Sequence, residues 1–178
     1  ATVGKFAGMD YCMKSGIGSC ALQVGELQVG AVVAVNALGD IYDWRSGQKL
    51  AGLLAEDRRS FRRTEDLMYA DTRTVENKFT RNTTIGVVIT NADFQKASLC
   101  KIAGMAQDGY ARSIRPVHTT ADGDSIYAVS VGDAEGKKVS ADQDLVGTLA
   151  AEVMSEAITA AVKSARSAYG LPAWEDIL

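Results

Sequence analysis

The chain has 178 residues, 47% apolar and 23% charged, with a formal net charge of −3. That length and balance suit one domain around one sizeable core. The acidic surplus and a pI near 5.2 give no electrostatic reason for nucleic acid or an anionic membrane as partner.

The chain starts at Ala1 within a Gly-rich segment and so reads as a fragment or a processed product. Residues 1–25 carry Gly4, Gly8, Gly16, Gly18 and Gly25 among small residues, which predicts loop and short strand. The run 28–36 is rich in β-branched residues and ends at the turn-forming Leu38-Gly39-Asp40, so it predicts a strand buried on both faces. Residues 41–44 are expected to pair back onto it as a hairpin. The longest strongly apolar stretch, 29–35, is too short to cross a bilayer, and no charged-then-apolar leader precedes it. A soluble protein follows as the expectation. Cys12, Cys20 and Cys100 make an odd set without a C-x-x-C pair, which suggests neither a disulfide framework nor a zinc site and suits a reducing cytoplasm.

From 45 to 82 the composition turns polar, with a short helix around 65–70, and the stretch reads as an exposed connector. Its basic cluster, Arg58, Arg59, Arg62 and Arg63, is interleaved with acids and reads as a solvated face. A second strand, apolar on both faces, follows at 84–90. Asp93 is the expected N-cap of a helix to about Arg112, with Leu99, Ile102, Ala103 and Ala106 on its inner face. A third strand is expected at 124–131, then a polar turn. Ser140 and Gln143 form a capping box that opens a helix to about Ala168, burying Leu145, Leu149, Val153, Ile158 and Val162. Helices with buried strands predict an α/β chain in layers.

A hydroxyl nucleophile needs a base, and the sequence holds one histidine, His118, with no G-x-S-x-G elbow. It also lacks a metal-ligand cluster and a phosphate-cradling glycine loop, so neither metal nor cofactor is expected. A threonine can use its own α-amino group, with an unperturbed pKa of about 7.7–8.0, if it is the first residue of its chain. The connector ending at Asn82, with Thr83 at the mouth of a buried strand, has the arrangement such a cut requires. On spacing alone a turn entering a strand is the stronger reading. Asn82-Thr83-Thr84 also matches a glycosylation acceptor, but nothing in the sequence indicates secretion.

Further residues shift that balance. Asn82-Thr83-Thr84-Ile85-Gly86-Val87-Val88, Arg115-Pro116-Val117-His118-Thr119 and Asp122-Gly123-Asp124 resemble the self-processing aminopeptidases and nylon-oligomer hydrolases, a family of N-terminal-nucleophile hydrolases. The upstream segments 15–19 and 29–36 are similar to the same family in the same order. Thr83 and the Asp-Gly-Asp triplet look more like the 6-aminohexanoate-oligomer hydrolases within it than like the β- and D-aminopeptidases. The resemblance implies a layered αββα sandwich with an N-terminal region beyond this chain. It also implies cleavage between Asn82 and Thr83, with residues 1–82 closing one fragment, 83–178 forming the other, and the two making one structural domain.

Roles follow from the same resemblance. Thr83 is the nucleophile in self-cleavage and in turnover. Lys5 is the basic residue that best resembles the catalytic lysine, with Lys14 as its competitor. Asp122 and Asp124 orient the Thr83 amine and the lysine through charged hydrogen bonds. Asn36 donates its side-chain amide to the developing oxyanion. The implied substrate is a linear 6-aminohexanoate oligomer cut internally, and the implied assembly is a homo-oligomer, a tetramer. Rival expectations are a β- or D-aminopeptidase, a threonine-dependent ornithine-type acyltransferase, and a self-associating domain whose Asn82–Thr83 bond stays intact.

Overall fold

The computed structural model describes residues 1–70, 72 and 82–177. Its elements in chain order are β1 Thr2–Val3, β2 Met13–Lys14, β3 Ile17–Val24, β4 Leu27–Ala34, β5 Asp40–Tyr42, β6 Lys49–Ala51, α1 Thr64–Tyr69, β7 Ile85–Thr90, α2 Lys96–Ser113, β8 Ile114–Arg115, β9 Ser125–Ser130 and α3 Gln143–Lys163. The four-stranded sheet runs β3-β4-β7-β9, with a small sheet β6-β5-β8 and the pair β1-β2 beside it. β4 is antiparallel to both β3 and β7, whereas β7 and β9 are parallel. A parallel pair needs a crossover, and α2 lies in it.

Both long helices pack on one face of the large sheet. Val29, Ala31, Val33 and Val88 from the strands meet Ile102, Ala106 and Tyr110 of α2 and Met154, Ile158 and Val162 of α3 in one buried cluster. Each such aliphatic side chain contributes about 1.5–3 kcal/mol on burial. α3 approaches closely enough that a Cβ on Gly18 of β3 would lie 2.0 Å from the Ala157 carbonyl oxygen. By length and composition α3 could cross a membrane, yet 67% of its apolar window is buried. In this fold it is a core helix. The α/β layered class expected from the sequence is therefore present, as a helix layer on a sheet.

Several boundaries differ from expectation for physical reasons. Residues 17–24 form an eight-residue strand, a hairpin with β4 through a turn at Gly25, whose φ is +60°. Neither β4 nor β7 is buried on both faces: alternate residues of each are exposed or half-buried. Residues 40–42 pair with β6 and β8 instead of folding back on β4. The expected connector is ordered in its first part. Leu50, Ala51, Leu53 and Leu54 are core residues, and buried Asp40 accepts from the Leu53 and Thr64 N–H groups and from Thr64 Oγ1. Asp40 also pairs with Lys49 at 2.9 Å, so it ties β5 and β6 to the start of α1. The rest of the connector, at 71 and 73–81, lies outside the described residues. α2 opens after Gln95, not Asp93. The cap of α3 is Asp142, which accepts from the Asp144 and Leu145 N–H groups, so the Ser140–Gln143 box does not form. α3 ends at Lys163, and Leu145 is 44% exposed.

Candidate active site

Thr83 lies two residues before β7, and the sheet extends past its named strands at that point. The β4–β7 pairing Ala34↔Ile85 continues to a hydrogen bond from Thr83 N–H to the Asn36 carbonyl, 2.9 Å. On the other side the parallel register of β7 and β9 continues as a bridge between Asn82 and Asp122. Gly123 therefore stands opposite Thr83. A Cβ there would lie 2.8 Å from Thr83 Oγ1, which is why the middle of the Asp-Gly-Asp triplet has no side chain.

The Asn82–Thr83 peptide is thus clamped between two strand extensions. Its carbonyl oxygen accepts from the Gly123 N–H at 2.8 Å and from Thr83 Oγ1 at 2.6 Å. The Gly123 N–H polarises this carbonyl, and the Thr83 hydroxyl is held in contact with it. Asn82 itself is 1% exposed.

Lys5 enters from the N-terminal loop. Its N–H bonds to the Leu38 carbonyl, and its Nζ donates to the Asn36 carbonyl at 3.2 Å, the same oxygen that receives Thr83 N–H. The side chain is 2% exposed. Burial pulls its pKa from the ordinary lysine range to about 8, against the opposing pull of Cys12 and Asp122. Lys14 is placed differently: its Nζ reaches the Ala1 carbonyl at 3.3 Å in an exposed position. Of the two lysines, Lys5 is the one that shares an acceptor with Thr83.

Asp124 and Asp122 are not solvated turn residues. Asp124 Oδ1 accepts from the Thr84 N–H at 2.8 Å, and its Oδ2 lies 3.4 Å from His118 Nδ1. Burial raises its pKa, a shift opposed by the Thr84 N–H. Asp122 Oδ2 accepts from Thr119 N–H and Thr119 Oγ1 at 3.0 and 2.6 Å. Asp124 thus meets the residue after Thr83, and Asp122, held by Thr119, acts electrostatically on Lys5. Asn36 is placed beside both Thr83 and Lys5. Its Oδ1 accepts from the Thr2 N–H at 3.1 Å, and it meets Thr83 and Lys5 through its main-chain carbonyl.

Two groups at the site escaped the sequence reading, the Gly123 N–H and the Thr84 N–H, and His118, named there within its motif, was given no place beside Asp124. Main-chain donors leave no mark on residue identity. The signal available for Gly123 was its place between two acids directly before a strand.

The chain matches the model of peptidase family S58 over residues 2–173. It is 35% identical over 187 residues to an uncharacterized aminopeptidase of Mycobacterium leprae, covering 98% of this chain and 50% of that protein. It is 29% identical over 161 residues to a 6-aminohexanoate-oligomer endohydrolase of Kocuria sp., covering 84% of this chain and 44% of that protein. The chain thus spans about half the length of the curated relatives it matches. Among solved structures it is similar to the L-aminopeptidase D-Ala-esterase/amidase of Ochrobactrum anthropi, described as a variant of the Ntn hydrolase fold. That likeness has a TM-score of 0.55 at 17% identity and covers 86% of this chain and 41% of that one. At that identity it establishes the fold alone.

Proposed function

The chain belongs to peptidase family S58, and we propose that within it this protein is a self-processing amide hydrolase whose nucleophile is Thr83. The observation that carries the proposal is the clamped Asn82–Thr83 peptide, with two donors on its carbonyl and a buried lysine on the carbonyl that holds Thr83 N–H. In the precursor the Thr83 hydroxyl adds to the Asn82 carbonyl carbon and the C–N bond breaks. The Asn82 acyl group is then an ester on Oγ1 and the Thr83 amine is free. Water hydrolyses the ester and releases the Asn82 carboxylate. In the mature enzyme the same hydroxyl attacks a substrate amide, the amine moves the protons, and water clears the acyl-enzyme.

The test is direct. The whole protein should convert to two fragments with Thr83 at the new N-terminus, and Thr83→Ala should stay intact and inactive. A Thr83→Ala protein still cut at this bond, with protease contamination excluded, overturns the autocatalytic reading.

For substrate, the reading is a linear 6-aminohexanoate-type oligomer cut internally, motivated by the likeness of Thr83, Asp122 and Asp124 and by the Kocuria relative. A second reading, an aminopeptidase, is favoured by the higher identity to the Mycobacterium leprae protein of that description. Terminally blocked oligomers separate the two. An internal cleaver releases shorter products from them, whereas an aminopeptidase leaves them whole.

A further inference from the structure

We propose that His118 is a positioning residue for this site, holding one oxygen of Asp124 while the Thr84 N–H holds the other. The proposal rests on the reading of Thr83 as nucleophile. Its geometry is specific. Asp124 Oδ1 is bound by Thr84 N–H at 2.8 Å, and His118 Nδ1 lies 3.4 Å from Oδ2. The Thr84 N–H holds Oδ1, and the imidazole and main-chain N–H of His118 face the same carboxylate beside the residue that follows the nucleophile.

The histidine is itself held in place. Its φ is +56°, in the left-handed region that a non-glycine residue occupies only when its surroundings impose it. Its ring stacks on Tyr110 of α2, with centroids 6.1 Å apart and planes 29° apart. The Tyr110 hydroxyl in turn lies 3.3 Å from the carbonyls of Thr84 and Ser125, one on each side of the seam between β7 and β9. The imidazole therefore links the core helix to Asp124 at the mouth of the sheet. Its side chain is 41% exposed, while that of Asp124 is 4% exposed.

The charged and titratable groups that face Asp124 are few. Asp122, from the same turn, pushes its proton affinity up. His118, from the loop after β8, pulls it down, and so does the Thr84 N–H at the start of β7. Tyr110 faces it from α2 and has its own pKa raised, first by burial and then by Asp124. Lys5 acts on Asp122 from the N-terminal loop. Burial already raises the Asp124 pKa, so removing His118 raises it further and moves protonation to higher pH.

Two variants of the whole protein separate positioning from simple packing. His118→Asn keeps a short side-chain N–H donor and tolerates the left-handed backbone. His118→Phe keeps a ring over Tyr110 but has no donor. If the donor matters, Phe lowers the rate of fragment formation about tenfold, the loss of one charge-assisted contact, and shifts the acid limb of the pH profile upward. Asn then retains the rate above the acid limb. If His118 merely packs, Phe retains activity and Asn loses it, and the proposal is overturned. Equal loss in both variants, or no change in either, overturns it as well. Should the Phe variant fail to fold, a loss of about tenfold in processing rate in His118→Asn above the acid limb is enough to reject it. Thr83→Ala is the separate control: cleavage persisting there defeats the nucleophile reading, whatever the His118 variants do.

Discussion

In the uncut chain Thr83 has no free amine, so the proton leaving its hydroxyl needs another acceptor. Lys5 suits that step, because burial brings its pKa to about 8 and its Nζ shares the Asn36 carbonyl with Thr83 N–H. The sign follows from which form works. Neutral Lys5 accepts the proton, and the neutral fraction falls as pH drops below about 8. Conversion of precursor to fragments should thus accelerate with pH toward about 8 and level off above it, and Lys5→Met should stay uncut. A rate that is flat across this range, followed by intact mass, would remove Lys5 from the step. Gly123 gives a second test at the same scale. A methyl group placed 2.8 Å from Thr83 Oγ1 must displace the hydroxyl. Misplacement of about 1 Å costs on the order of a hundredfold in rate, so Gly123→Ala should fold yet process slowly. Unchanged processing would show that the hydroxyl needs no such clearance. At this scale the sequence named Thr83, Lys5, Asp122 and Asp124, and the fold brings their segments together. Asn36 was legible as a residue, but the acceptor role of its backbone carbonyl for Thr83 N–H and Lys5 Nζ was not, because a main-chain group leaves no mark on residue identity.

Helices α2 and α3 were legible because their apolar residues recur at helical spacing against one layer. Their ends were not, since caps depend on which oxygen reaches which amide. Asp142 and Ser140 both stand where a cap is expected, and only Asp142 bonds the Asp144 and Leu145 N–H groups. Asp142→Ala should therefore cost about 1 kcal/mol, whereas Ser140→Ala should stay within about 0.5 kcal/mol of the parent. Urea midpoints compare them, and equal losses would restore the Ser140 cap. β3 was hidden for a different reason. Gly16 and Gly18 read as turn formers, but Gly18 is in a strand because α3 leaves no room there for a side chain. The hairpin expected at 41–44 failed because Asp40 draws its strand toward Leu53 and Thr64 instead.

Across the whole molecule, the strand register explains why 29–35 and 84–90 looked buried on both faces. Ile17, Ala34, Ile85 and Ser125 stand in one row across the sheet, and Ser19, Val32, Val87 and Tyr127 in the next. These rows face away from α2 and α3. On them Ile17 is 67%, Ile85 48%, Val32 42% and Tyr127 62% exposed. An apolar sheet face of this kind marks a surface that another layer covers. In an αββα arrangement that layer is a second sheet, stacked about 10 Å away, and the curated relatives are about twice as long as this chain. The expectation is that the remainder of the whole protein supplies it. Tyr127→Asp then places a charge in an apolar interface and should destabilise the whole protein by about 3 kcal/mol or more. Made instead in the 178-residue chain alone, the same change should cost little stability and reduce binding of an apolar dye. If Tyr127→Asp leaves the whole protein as stable as its parent, no layer covers this face. If it instead converts an oligomer to a monomer without loss of stability, the cover is a second copy of the chain.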